Sequence, residues 1–129
     1  MTERIRGERT LMRVFIGESD RCSEGAHRGR PLYEALLLFF RENGFAGATV
    51  VRGIAGFGAS ARLHTDRVLR LSTDLPIIVE VVEEEERIQQ VLPQLDAMIG
   101  GGLVTLERAR VILYRSGGEG GDAGGQHNV

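Results

Sequence analysis

Residues Gly47 to Gly58 read G-A-T-V-V-R-G-I-A-G-F-G, a β-prone run that opens directly into a glycine-punctuated loop. The loop continues A-S-A-R-L-H-T to Thr65, and a second apolar run, L-P-I-I-V, follows at Leu75 to Val79. Ordering backbone opposes folding by roughly 1–2 kcal/mol per residue. Long loops in compact domains are usually functional or mobile. The loop between these two runs is therefore the expected functional segment, and its flanks are the expected second strand (Ala48 to Ala55) and third strand (Leu75 to Val82). Pro76 sits near the start of the third strand, where a missing N–H is tolerated.

Upstream, Leu11 to Ile16 (L-M-R-V-F-I) predicts a first strand ending at Gly17. Pro31 opens a helix, since its missing N–H would have no partner in the first turn, and Gly44 closes it in a left-handed cap. Leu32, Ala35, Leu36, Phe39 and Phe40 recur at helical spacing as the core stripe. Tyr33, Leu37 and Leu38 widen that stripe beyond what one sheet should cover, through deep packing or a subunit contact. Downstream, the acidic run Glu83 to Glu86 suits a helix N-terminus. Ile88, Val91, Leu92, Leu95, Met98 and Ile99 form the second core stripe, which Pro93 is expected to kink. Gly100-Gly101-Gly102 ends that helix. Leu103 to Leu106 and Ala109 to Tyr114 form a fourth strand, expected to break near Glu107 and Arg108.

The order is β-α-β-β-α-β. With right-handed crossovers it folds as a ferredoxin-like α+β domain, a four-stranded antiparallel sheet with both helices on one face. The expected organisation is a flexible N-terminus at 1–10, one domain at 11–115 and a disordered glycine-rich tail at 116–129. Alternation along the second and third strands leaves both sheet faces largely apolar, whereas a solvated face should be polar. The open face is thus expected to be buried in an oligomer, with Arg52 and Glu80 either pairing across it or standing as two unrelated rim charges.

The chain has 129 residues, 42% hydrophobic and 26% charged, with a net charge of −2, which fits a single globular domain. Neither nucleic acid nor a membrane surface is implied by that charge. Cys22 is the sole cysteine, so no internal disulfide exists, which suits a reducing compartment. Met1 to Thr10 lacks the apolar core of a secretory signal. The apolar run Ala35 to Phe40 is far too short to span a bilayer, so the expected location is cytoplasmic and not membrane-embedded.

Chemistry-bearing constellations are sparse. Glu18, Asp20, His64 and Asp66 are scattered candidates for a metal site, a weak pattern by spacing. Cys22 has no evident partner as a nucleophile, and no general base stands at a recognisable spacing for an enzyme acting on small phosphorylated molecules. Two features remain. Gly53 to Gly58 and Gly100 to Gly102 can bring backbone N–H groups close to an anion, although glycine loops also serve simply as turns. Arg62, Arg67, Arg108 and Arg110 lie near them in sequence, and the guanidinium fork suits phosphate.

The stretch Met12 to Tyr114 resembles the domain of unknown function 190 (DUF190) family of the PII-like superfamily. The residues that carry it are I-G-E-S-D at Ile16 to Asp20, P-L-Y-E-A at Pro31 to Ala35 and the motif at Gly47 to Gly58. L-P-I-I-V-E at Leu75 to Glu80 and G-G-G-L-V-T-L-E at Gly100 to Glu107 complete it. The resemblance implies a PII-like homotrimer with sheets facing inward. It implies a non-catalytic signalling protein that binds an adenine nucleotide (ATP, ADP or AMP) in intersubunit clefts. One wall would be Gly56, Phe57 and Gly58 at the base of a T-loop-like segment, 56–73; the other would be Gly100, Gly101 and Gly102. Arg62 and Arg108 would meet phosphate. The lysine usual in the second loop is absent, and Arg108 is the nearest basic residue. A membrane transporter or channel is the implied partner. The related cation-tolerance proteins make a divalent-metal protein using His64, Asp66, Glu18 and Asp20 the alternative.

Overall fold

The computed structural model describes residues 7–58, 64–65 and 74–117. Its elements are β1 (Gly7–Gly17), α1 (Leu32–Glu42), β2 (Thr49–Arg52), β3 (Ala55–Gly56), β4 (His64–Thr65), β5 (Pro76–Glu83), α2 (Glu85–Met98) and β6 (Leu103–Val111). The main sheet is four-stranded in the order β2-β5-β1-β6, with every neighbouring pair antiparallel. This is the ferredoxin-like arrangement expected from the sequence, with a two-stranded β3–β4 ribbon added within the long loop.

Alternation decides which side chains meet the helices. Along β1, Thr10, Met12, Val14 and Ile16 are buried, and along β5 Ile77, Val79, Val81 and Glu83 are buried. Helix α1 lays the predicted stripe Leu32, Ala35, Leu36, Phe39 and Phe40 on that face, and α2 adds Ile88, Val91, Leu95 and Met98. These side chains form one continuous core. Fully burying each large one contributes about 1.5–3 kcal/mol. Helix α1 stops at a left-handed Gly44 (φ +76°), and the Phe45 N–H reaches back to the Phe40 carbonyl at 3.0 Å. That contact closes the helix end as a Schellman motif does.

Several expectations change. β1 starts at Gly7, so residues 7–10, read as part of a flexible leader, are strand; residues 1–6 lie outside the described residues. β6 runs unbroken through Glu107 and Arg108, because Leu103 to Val111 pair continuously with β1. Pro31 caps α1 from outside rather than occupying its first position. Pro93 lies inside helix α2, on its exposed side, where water can serve the Gln89 carbonyl that loses its partner.

Arg52 and Glu80 do not pair. The register places Thr49 opposite Glu80 and Arg52 opposite Ile77, which turns Arg52 to the other face of the sheet. Arg13 takes its place: its Nε donates to Glu80 at 2.9 Å and its Nη1 to Glu107 at 3.3 Å. The bond to Glu80, with the nearby Glu107 charge, raises the Arg13 pKa above its ordinary value. This polar cluster, with Thr49 opposite Glu80, Thr105 opposite Arg13 and Glu107 opposite Leu11, lies across an open sheet face that also carries apolar rows. Val51, Ile78, Phe15 and Leu103 stand in one cross-strand row, and Val82 and Leu11 in another. Val51, Val82 and Leu103 are well exposed in the single chain.

Candidate functional site

The antiparallel register gathers the glycine loops. Gly17 lies opposite Pro76, Arg52 opposite Ile77 and Phe15 opposite Leu103. The ends of β1 and β2 and the beginnings of β5 and β6 therefore share one end of the sheet. The segments that leave there are Glu18 to Asp20, Gly53 to Gly58, Asp74-Leu75 and Gly100 to Gly102.

Three glycines at this end, Gly53, Gly56 and Gly102, are held in close approach to a neighbour, whereas a Cβ on Gly58 or Gly101 would meet nothing within 4 Å. A Cβ on Gly56 would lie 2.8 Å from Pro76 Cγ, and one on Gly53 would lie 3.4 Å from Pro76 Cβ. The loop thus leaves β2 by crossing closely over Pro76, tied by the Gly53 N–H to the Pro76 carbonyl at 2.7 Å. Gly102 has φ +150°, and a Cβ there would lie 2.7 Å from the Phe15 carbonyl oxygen. Only glycine fits that approach without displacing backbone. Gly100, Gly101, Gly58 and Phe57 are exposed, Phe57 at 70%.

A polar cluster braces the same end. The Asp20 carboxylate accepts from the Gly17 N–H at 2.9 Å. Asp74 Oδ1 accepts from the Ser19 N–H at 3.0 Å and from the Ser19 hydroxyl at 2.8 Å. The Glu18 N–H donates to the Leu75 carbonyl at 2.8 Å. Glu18 Oε1 lies 3.4 Å from Arg52 Nε and is buried, with no hydrogen bond of its own among the described residues. These contacts hold the root of the loop against β1 and β5.

The sequence-predicted site residues do not all meet. Gly56, Phe57, Gly58, Gly100, Gly101 and Gly102 share the end. Arg108 does not: it pairs in register with Thr10, about 17 Å along β6 from Leu103 at the usual strand rise. Its side chain is 81% exposed and 3.8 Å from Glu8. Arg62 and Asp66 lie outside the described residues, and His64 is described only as part of β4. Among the described residues no group of three or more His, Cys, Asp or Glu side chains is placed to hold a metal ion. Glu18 and Asp20 are engaged with Arg52 and the Gly17 N–H instead. Cys22 is buried, with Sγ donating to the Glu24 carbonyl at 3.2 Å, and packs in the core. Sequence reasoning missed the Ser19–Asp74 and Glu18–Arg52 contacts. The only local signal was the E-S-D run at the end of β1.

Comparison with known proteins settles the family. The family model DUF190 (Uncharacterized ACR) matches residues 9–111. The chain belongs to the DUF190 family. A UPF0166 protein of Aquifex aeolicus is 35% identical over 105 residues, covering 81% of this chain and 94% of the relative. A UPF0166 protein of Methanocaldococcus jannaschii is 32% identical over 102 residues, covering 78% and 89%. Among solved structures, CPII, a nitrogen regulatory PII-like protein from Thiomonas intermedia K12 bound to ADP, AMP and bicarbonate, superposes with a TM-score of 0.57. Its identity is 15%, with 84% of this chain and 91% of that one covered. The DUF190 chain therefore has the PII-like fold. Among the described residues no helix is long and apolar enough to cross a membrane.

Proposed function

We propose that this DUF190 protein is a non-catalytic PII-like regulator, acting as a homotrimer. It binds a small anionic ligand, an adenine nucleotide, in the clefts between subunits. The observation that carries the reading is the convergence of Gly53–Gly58 and Gly100–Gly102 on one end of the sheet, each held in close approach to a neighbouring backbone or ring. Exposed backbone N–H groups of such segments suit phosphate oxygens. The nucleotides held by the PII-like CPII structure, which shares the fold, support the ligand class.

The open face supports the assembly. Its apolar rows would be buried by like faces, and burial of apolar area is the main favourable contribution to association. In a closed ring the cleft is built from two subunits, so Arg108 of one chain would serve the glycine end of the next. Arg62 would approach from the loop. Ligand binding would then shift the loop after Gly56 between two states, through its different affinity for them. A partner, a membrane transporter or channel, would read that change in the cytoplasm.

Calorimetry of the full chain with ATP, ADP, AMP and cyclic adenine nucleotides tests the ligand class. Saturable binding of at least one, weakened by Gly102→Ala and by Arg108→Ala, is expected. No heat of binding at millimolar nucleotide would remove the nucleotide from the account.

A further inference from the structure

The glycine end poses a charge problem for an anion. The segments that leave the sheet there, Glu18 to Asp20, Gly53 to Gly58, Asp74-Leu75 and Gly100 to Gly102, hold three carboxylates and no Lys or Arg. Like charges brought together oppose binding, so an anion at this end needs a cation that those segments do not supply. Two of the carboxylates accept from neutral donors: Asp20 from the Gly17 N–H, and Asp74 from the Ser19 N–H and hydroxyl. The third, Glu18, faces Arg52, which ends β2 and adjoins Gly53. Arg21, beside Asp20 in the chain, is turned onto the Gly29 carbonyl at 3.4 Å.

The Arg52–Glu18 pair is loosely made. Arg52 Nε lies 3.4 Å from Glu18 Oε1, and the Arg52 side chain is 57% exposed against 23% for Glu18. Glu18 Oε1 is buried and accepts no hydrogen bond among the described residues. The terminal nitrogens of Arg52 make no hydrogen bond among the described residues either. The two terms are unequal. A solvent-exposed ion pair contributes little to stability. A buried oxygen without a donor is unfavourable, and uncovering it to water removes that penalty. Releasing Arg52 from Glu18 therefore costs the chain little.

We infer that Arg52 is an anion-binding side chain of the glycine end, and that Glu18 is the internal carboxylate it leaves when the ligand arrives. The inference rests on the reading of that end as the ligand site and supplies the phosphate with a cation from the same chain. A phosphate entering beside Gly53 to Gly58 draws the guanidinium off Glu18. The terminal nitrogens of Arg52 match two phosphate oxygens through the planar fork. Glu18 Oε1 becomes hydrated in the same exchange. Arg108 stands at the far end of β6 and reaches this end only from a neighbouring subunit, whereas Arg52 needs no second chain. The carboxylate left behind makes Glu18 a competitor of the ligand for Arg52, so it sets the affinity rather than the fold.

The test titrates the full chain with ADP and with inorganic pyrophosphate by calorimetry. Arg52→Gln should weaken both about tenfold, and Glu18→Gln should strengthen both about threefold. The gain from Glu18→Gln should vanish in the Arg52→Gln background, because it comes from releasing Arg52; simple repulsion by Glu18 would survive there. In the unaltered chain, the Arg52 Nε–H resonance should shift as ADP saturates, a readout that needs no variant to fold. Undiminished binding by Arg52→Gln, weaker binding by Glu18→Gln, a gain that persists without Arg52, or an unmoved Nε–H resonance each overturns the exchange while the ligand site stands. No saturable heat with either ADP or pyrophosphate at millimolar concentration overturns the anion site and the exchange together.

Discussion

The two faces of the main sheet are built from the same four strands yet differ in kind. Under the helices, Met12, Val14, Ile77, Val79 and Val81 are all at most 3% exposed, and the buried polar residues Thr10 and Glu83 lie together at one border. Thr10 donates to Glu85 at 3.1 Å, and Glu83 lies 3.5 Å from Arg87 Nε, an ion pair in which that nitrogen makes no hydrogen bond among the described residues. On the open face, apolar residues flank a charged cluster in which Arg13, opposite Glu80, also reaches Glu107 from the next row. β-propensity does not separate the faces, since β-branched and aromatic residues serve both. What separates them is whether the chain itself supplies a cover. The open face is largely apolar yet uncovered in the single chain, and a charged cluster crosses its middle where the core side has none.

Substitutions can sharpen that contrast, beginning with the covered side. Phe40→Ala removes a side chain 1% exposed at the centre of the core, and should lower unfolding free energy by about 3–5 kcal/mol in urea titrations. A change under 1 kcal/mol would mean the helix layer is not the core. Next is the open face. Ile78→Asp, opposite Phe15 and Val51, should break the assembly in size-exclusion chromatography while the far-ultraviolet circular dichroism of the chain is retained. Equal loss of secondary structure would make the open face part of the monomer core. The smallest expected effect belongs to the brace at the loop root. Ser19→Ala deletes one hydroxyl bond to Asp74 and should lower stability by about 1 kcal/mol, with faster amide exchange at Gly53 and Gly56 as its specific sign.

The reason some of this was legible in sequence and some was not is periodicity. Helix α1 presents the five residues that its 3.6-residue spacing nominates, and Gly44 ends it in the left-handed conformation foreseen. Strand alternation likewise assigned Ile77, Val79 and Val81 to one face. Register between strands has no local signal. Arg52 and Glu80 look like hairpin partners, yet pairing Thr49 with Glu80 sends Arg52 to Glu18 on the other side. Ser19 and Asp74 are 55 residues apart and meet only because β1 ends where β5 begins. The glycine clusters were visible as composition, but their reasons, Pro76 under Gly56 and the Phe15 carbonyl under Gly102, exist only after folding. The surplus apolar width of α1 was visible as an over-wide stripe, and folding makes it one wall of a groove whose other wall is Phe45 to Ala48.

The central claim is that the open face is covered by other copies of this chain and that the nucleotide cleft is completed there. The solution mass by light scattering at micromolar concentration tests it most directly. The account predicts a single species at three times the 14.1 kDa chain mass, dissociated by Ile78→Asp. A stable species at the mass of one chain would contradict it.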